Sequence, residues 1–132
     1  MGTVARGTFE VTMTPEPPYD TTDGVSLGRV SFEKTFSGEL TATGRVQMLA
    51  ARTAVPTSAA YVALERITGT LAGREGSFTV THLGRATASA RTLDVAIVPD
   101  SGTGGLTGIA GTMKIDIVEG KHLYEIEYTF GS

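Results

Sequence analysis

An all-β chain, folded as a single closed antiparallel barrel of about eight strands, is what this sequence predicts, on three observations. Threonine and valine recur throughout, and hardly a window carries apolar residues at helical spacing. Alternating or β-rich runs of strand length follow one another at regular intervals, most of them separated by short turns. The 17 glycines are numerous alongside these β-formers, with most of their clustering in Pro99 to Gly111. Regular strand-turn spacing without a fixed-period repeat favours a meander barrel or sandwich over a mixed fold.

The elements follow in order. Gly7 to Thr14 alternates Phe9, Val11 and Met13 with polar residues and is the first strand. Pro15 to Gly24, with three prolines and Asp23-Gly24, is a loop. Leu27 to Phe36 and Leu40 to Ala50 flank a turn at Ser37-Gly38-Glu39, and Ala60 to Leu71 and Ser77 to Leu83 flank one centred on Gly73-Arg74. Ala86 to Val98 is a longer run. Pro99 to Gly111 holds most of the glycine clustering and reads as a loop that crosses or caps the barrel. Thr112 to Val118 and His122 to Phe130 close the chain around Glu119-Gly120. The 132 residues make one domain, with Gly131-Ser132 read as an appended remnant after the last patterned residue.

Hairpin register decides which side chains share a face, because a slip of one residue swaps the faces. A two-residue turn at Glu119-Gly120 pairs Ile117 with His122, Ile115 with Tyr124 and Met113 with Ile126, and puts Lys114 opposite Glu125 on the other face. The Gly73-Arg74 turn pairs Ile67 with Val80, which leaves Tyr61, Ala63, Glu65, Phe78 and His82 on one face with Glu65 opposite His82. Around Ser37-Gly38-Glu39, pairing Phe32 with Gly44 and Val30 with Val46 puts Phe36, Met48 and Lys34 on the apolar face.

A carboxylate, an imidazole and an ammonium thus point toward an otherwise apolar side. Desolvation and mutual pairing shift the proton affinities of such groups, so Glu65 and His82 are candidates for proton transfer to a ligand, with Lys34 beside them. The bland reading stands next to it: the two satisfy each other, close one end of the core, or face water if the register is off by one. Tyr61, Phe78, Tyr124 and Tyr128 line a ligand cavity or fill the core.

Other chemistries are excluded or weak. Gly24-Val25-Ser26-Leu27-Gly28 fits the nucleophile-elbow pattern, but that motif needs a strand-turn-helix in a larger α/β sheet, so the Ser26, Asp94 and His122 order carries little. Ser101 to Gly111 lacks the lysine and spacing of a phosphate-binding loop. His82 and His122 have no metal-ligand spacing and there is no cysteine, so no metal or other cofactor is expected. A net charge of -3 with scattered arginines argues against nucleic acid. No apolar run approaches membrane-helix length and no secretory signal is visible from Met1 to Phe9, so a soluble, cytoplasmic protein with no membrane partner is expected.

The segments GTFEV, PPYD, LGRVSFEKTFSGEL, YVALERITGTLAGREGSFTVTHLG and VPDSGTGGLTGIAG resemble the bacterial family called domain of unknown function 3224, over nearly the whole chain from Gly7 to Phe130. The resemblance implies an allene oxide cyclase-like, calycin-like barrel of eight antiparallel strands with an apolar interior. It departs at one position: Met13 stands where that family usually carries a tryptophan, which puts one wall of a pocket in doubt.

Resemblance and residues together set the functional expectation. It is a small-molecule barrel that binds or acts on an apolar or amphipathic metabolite in its interior, as a cofactor-independent isomerase or cyclase with Glu65 and His82 as acid-base groups. Lys34, Tyr61, Phe78, Tyr124 and Tyr128 would then contact the ligand. A non-catalytic carrier and a packed structural or oligomeric barrel are the alternatives, and a homo-oligomer is left open.

Overall fold

The computed structural model describes residues 2–131, of which about three quarters lie in strands. Nine strands form in chain order: β1 (Thr3–Pro15), β2 (Ser26–Gly38), β3 (Leu40–Arg52), β4 (Ala59–Leu71), β5 (Arg74–Ala86), β6 (Arg91–Ile97), β7 (Thr103–Gly104), β8 (Ile109–Val118) and β9 (Lys121–Phe130). All pairings are antiparallel. The ring runs β1-β2-β3-β4-β5-β6-β8-β9 and closes where β9 pairs with β1, from Thr3 opposite Tyr128 to Phe9 opposite His122. The expected eight-stranded barrel is therefore the fold, with the two-residue β7 lying outside the ring on β5.

Alternation dictates what lies inside. Even-numbered residues of β2 and β3 and odd-numbered residues of β4 turn inward, and these are the buried positions in each burial pattern. The core they build contains Phe9, Phe36, Leu40, Ile67, Phe78 and Ile126, all nearly inaccessible to solvent. Inward residues are not equally covered along the axis. At one end Leu40, Leu71, Leu106 and Ile109 are each 1% exposed, because the 98–108 segment folds over that end and inserts Leu106. At the other end the inward-pointing positions are open: Phe32, Met48 and Tyr61 are half-buried, while Met13 is 58% and Ile117 61% exposed. One end is plugged and the other is a mouth.

Several sequence expectations need correction. β1 begins at Thr3 rather than Gly7, because closure onto β9 uses its first residues. The expected strand from Ala86 to Val98 starts at Arg91: Ala86 ends β5, and 87–90 is a turn in which the Thr87 hydroxyl accepts the Ala90 N–H at 3.2 Å. The supposed loop from Pro99 to Gly111 holds β7 and gives its last residues to β8. Two registers shift by two residues: Ile67 pairs with Phe78, not Val80, and Phe32 pairs with Val46, not Gly44. The β8-β9 register stands as expected, through a turn in which Glu119 (φ 52) and Gly120 (φ 81) both take the left-handed conformation of a type I′ turn. The Gly131 N–H donates to the Gly108 carbonyl at 2.9 Å, and Ser132 lies outside the described residues.

Candidate functional site

Three ionisable side chains meet inside this apolar barrel. Lys34 projects inward from β2, Glu65 from β4 and His82 from β5, at 8%, 0% and 6% exposure. Glu65 stands opposite Val80, so it meets His82 diagonally rather than face to face as the sequence register implied. The contact is close nonetheless, at 2.8 Å between His82 Nε2 and Glu65 Oε1. Lys34 Nζ donates to the same Oε1 at 3.1 Å.

That second contact bridges two strands that are not neighbours, since β3 runs between β2 and β4. Gly44 makes it possible. It lies opposite Lys34 on β3, and a Cβ built there would stand 2.3 Å from Glu65 Oε2. The carboxylate occupies the space that any side chain at position 44 would fill. Oε2 itself is buried with no hydrogen-bond partner among the described residues. Burying a polar oxygen unpaired costs stability, so this carboxylate is held where it is by Oε1 and by the packing around it.

The donor pattern fixes the proton on the imidazole. Oε1 accepts from the Lys34 ammonium, so a bare Nε2 facing the same accepting oxygen at 2.8 Å would set two acceptors together; Nε2 therefore carries the hydrogen and donates it. No protein hydrogen bond engages the other ring nitrogen, Nδ1, among the described residues. A carboxylate that orients an imidazole in this way is an arrangement suited to general-base chemistry. The Lys34 ammonium also lies 4.7 Å from the centre of the Phe9 ring and 5.9 Å from that of Phe36, where ring quadrupoles favour a desolvated cation.

Phe9 connects this cluster to the outside. Its other neighbour is the His122 ring, at 5.1 Å, and both residues line a groove of about 570 Å³ with Thr8, Glu10, Val11 and Lys121. The groove exists because β9 begins at Lys121, so beyond Phe9 the β1 strand runs on without a partner on that edge. The β8-β9 hairpin is equally free on its other side, where β6 and β8 pair only at Val95–Met113 and Ala96–Thr112. Tyr61 sits in the mouth with its ring over Gly84, its cross-strand neighbour, and burial raises its phenol above the ordinary tyrosine range.

A family model described as protein of unknown function (DUF3224) matches residues 5–128. The chain belongs to this family. It is also similar to a solved structure from Shewanella oneidensis MR-1, a DUF3224 family protein with unknown function, at 47% identity over 100% of both chains and a TM-score of 0.94. A comparison with curated proteins found no match.

Within this DUF3224 barrel, the expected site residues separate into two groups. Lys34, Glu65 and His82 come together, and Tyr61 stands at the open end. Phe78, Tyr124 and Tyr128 are buried in the hydrophobic core. Tyr124 has a structural task there: its hydroxyl accepts the Leu40 N–H and donates to the Ser37 carbonyl, both at 2.9 Å, which ties down the β2-β3 turn. The sequence reading missed Phe9, His122 and Gly44. Phe9 was visible as an apolar residue of an alternating strand, but nothing local marked Gly44, whose role depends on a carboxylate 21 positions away. Ser26 and Asp94 lie at the start of β2 and on the outer wall of β6, and no helix follows Gly28. Among the described residues no three His, Cys, Asp or Glu side chains are grouped to hold a metal ion, and no helix is long and apolar enough to cross a membrane.

Proposed function

We propose that this barrel takes a small apolar or amphipathic molecule at its open end and acts on it without a cofactor, as an isomerase or cyclase in which His82 moves a proton. The observation that carries the reading is the buried Glu65 carboxylate holding both His82 and Lys34 on one oxygen, inside an otherwise apolar interior. Passive sequestration of an apolar ligand has no use for three desolvated ionisable groups, each of which costs stability to bury. Proton transfer has such a use. His82 Nδ1 would accept a proton from one carbon of the ligand and return it at another, Glu65 would stabilise the imidazolium that forms in between, and Lys34 would hold the carboxylate in place. The half-buried apolar positions at the mouth, with the groove beside Phe9, suit an aliphatic body folded against the walls.

The test uses 8-anilinonaphthalene-1-sulfonate fluorescence for occupancy, and chromatography of unsaturated fatty acids and their epoxides for a product of unchanged mass and altered retention. The proposal expects Glu65→Gln and His82→Ala to keep dye binding and lose conversion. Conversion by neither wild type nor variants, with fatty acids displacing the dye, supports a non-catalytic carrier instead. Dye binding that no fatty acid displaces leaves a packed structural barrel.

A further inference from the structure

The outer wall has two unlike sides. Between Leu40 and Ala86, which spans β3, β4 and β5, the basic residues are all arginine, and Glu75 is the only carboxylate besides the buried Glu65. That wall is strongly basic in a chain whose net charge is -3. The opposite wall is mixed: Glu10 of β1, Asp116 of β8, and Glu125 and Glu127 of β9 stand among Arg6, Lys114 and Lys121, with Arg6 paired to Glu125.

Register gives the basic wall a pattern. Leu49, Val62 and Leu83 are direct cross-strand neighbours in one outward row, 47%, 50% and 38% exposed, and Leu64 lies on the adjoining row at 57%. Arg45 and Arg66 face each other across β3 and β4 at one end of this aliphatic ridge, and Arg85 of β5 stands at its other end. Like charges directly opposite on a sheet weaken it. Two carboxylates border the wall, Glu33 opposite Arg45 and Asp94 opposite Leu83, but among the described residues none of the three arginines is in an ion pair.

We propose that the β3-β4-β5 wall docks on an anionic lipid surface, with Leu49, Val62, Leu64 and Leu83 entering the headgroup boundary and Arg45, Arg66 and Arg85 meeting the lipid phosphates. Unpaired arginines around exposed aliphatic side chains are what such a surface binds. Shape selects it over other acidic partners. Each strand of an eight-stranded ring turns the wall by about an eighth of a circle, so a rigid protein touches only a narrow strip, whereas a fluid interface moulds to a convex ridge. Nucleic acid gains nothing from aliphatic side chains, and no aromatic residue stands on this ridge for bases to stack on. The expectation of no membrane partner rested on the lack of a spanning run, which does not bear on a docking wall.

Cosedimentation of the full chain with vesicles tests this. Binding is expected to phosphatidylcholine vesicles containing phosphatidylglycerol at about 0.1 M salt, to weaken at about 1 M as the Debye length falls to about 3 Å, and to be absent with phosphatidylcholine alone. Arg45→Thr with Arg66→Thr removes a repulsive pair and keeps strand propensity, so the fold persists, and partitioning is expected to fall about thirtyfold, near fivefold per arginine. Leu64→Thr is expected to weaken binding at both salt concentrations, while Lys114→Thr on the other wall leaves it unchanged. No sedimentation of wild type with phosphatidylglycerol vesicles, or sedimentation that survives the double arginine change, overturns the proposal. So does a dimer in light scattering that Leu64→Thr disperses, which would give the ridge to a second copy of the chain.

Discussion

Replacing Gly44 by alanine measures directly whether the Glu65 carboxylate is wedged in the barrel wall. Gly44 does not have a left-handed φ, so the substitution carries no backbone strain. Its effect is steric: the new Cβ would stand 2.3 Å from Glu65 Oε2, against an ordinary C···O contact of about 3.3 Å. The carboxylate must retreat by about 1 Å, and it cannot do so freely, because Oε1 is held at 2.8 Å by His82 and at 3.1 Å by Lys34. Overpacking of this kind costs about 1–3 kcal/mol and a lost charge-assisted hydrogen bond about 1.5–3 kcal/mol, so a combined loss of about 2.5–6 kcal/mol is expected. With a urea slope of about 2 kcal/mol per molar, the midpoint falls by roughly 1–3 M while the slope is unchanged. The control is a cycle in a background of Lys34→Met with Glu65→Ala, which removes the carboxylate without stranding an ammonium. There the 2.3 Å clash with Glu65 is gone and Phe36 Cε2, at 3.0 Å, is the nearest neighbour of the new methyl, so the penalty is expected to drop below about 1 kcal/mol. An unchanged midpoint in the single variant, or the same penalty in both backgrounds, refutes the wedge.

Three further outcomes follow from the geometry. Gly120→Ala is expected to cost about 1–2 kcal/mol in urea unfolding although its Cβ would meet nothing within 4 Å, because φ is +81°; no loss would contradict the type I′ turn. Ala72→Gly is expected to stabilise the β4-β5 turn by about 0.5 kcal/mol, since Ala72 holds φ 48 beside Gly73, and a loss would count against that conformation. Tyr124→Phe strands the buried Leu40 N–H and is expected to cost about 1–3 kcal/mol, checked by thermal and urea unfolding. Burial raises the folded-state Tyr124 phenol, so its contribution is complete below the unfolded value near 10 and is lost as pH rises from there through the folded value; the alkaline loss should shrink in Tyr124→Phe.

Parity was legible in the sequence throughout, register only in the β8-β9 hairpin. The two hairpins placed two residues out of register still put Lys34, Glu65 and His82 inside, because a slip of two preserves the face. Both slips arise at turns whose position is set from outside the turn. The Glu39 N–H donates to the Arg6 carbonyl of β1 at 3.2 Å and Tyr124 of β9 clasps Ser37 and Leu40, so β2 and β3 turn one residue later than the local glycine suggests. Between β4 and β5 an alanine takes the left-handed position, a choice that propensity disfavours and the closed ring imposes. Glu119-Gly120 was read correctly because local preference and global closure agree there.

The candidate site was half legible for a related reason. Alternation states whether a side chain faces the interior, but not how far along the barrel axis it lies; that depends on the tilt and stagger of every strand around the ring. Phe78, Tyr124, Tyr128 and Tyr61 share the inward parity, yet three of them fill the core and only Tyr61 reaches the mouth. Glu65, His82 and Lys34 could be grouped from parity because their chemistry is conspicuous against an apolar face. What brings them into contact is the missing side chain of Gly44, through which a lysine on one strand reaches a carboxylate two strands away. Such a gap leaves no local trace in a sequence, so a search for interior sites in barrels should weigh inward-facing glycines beside inward-facing charges.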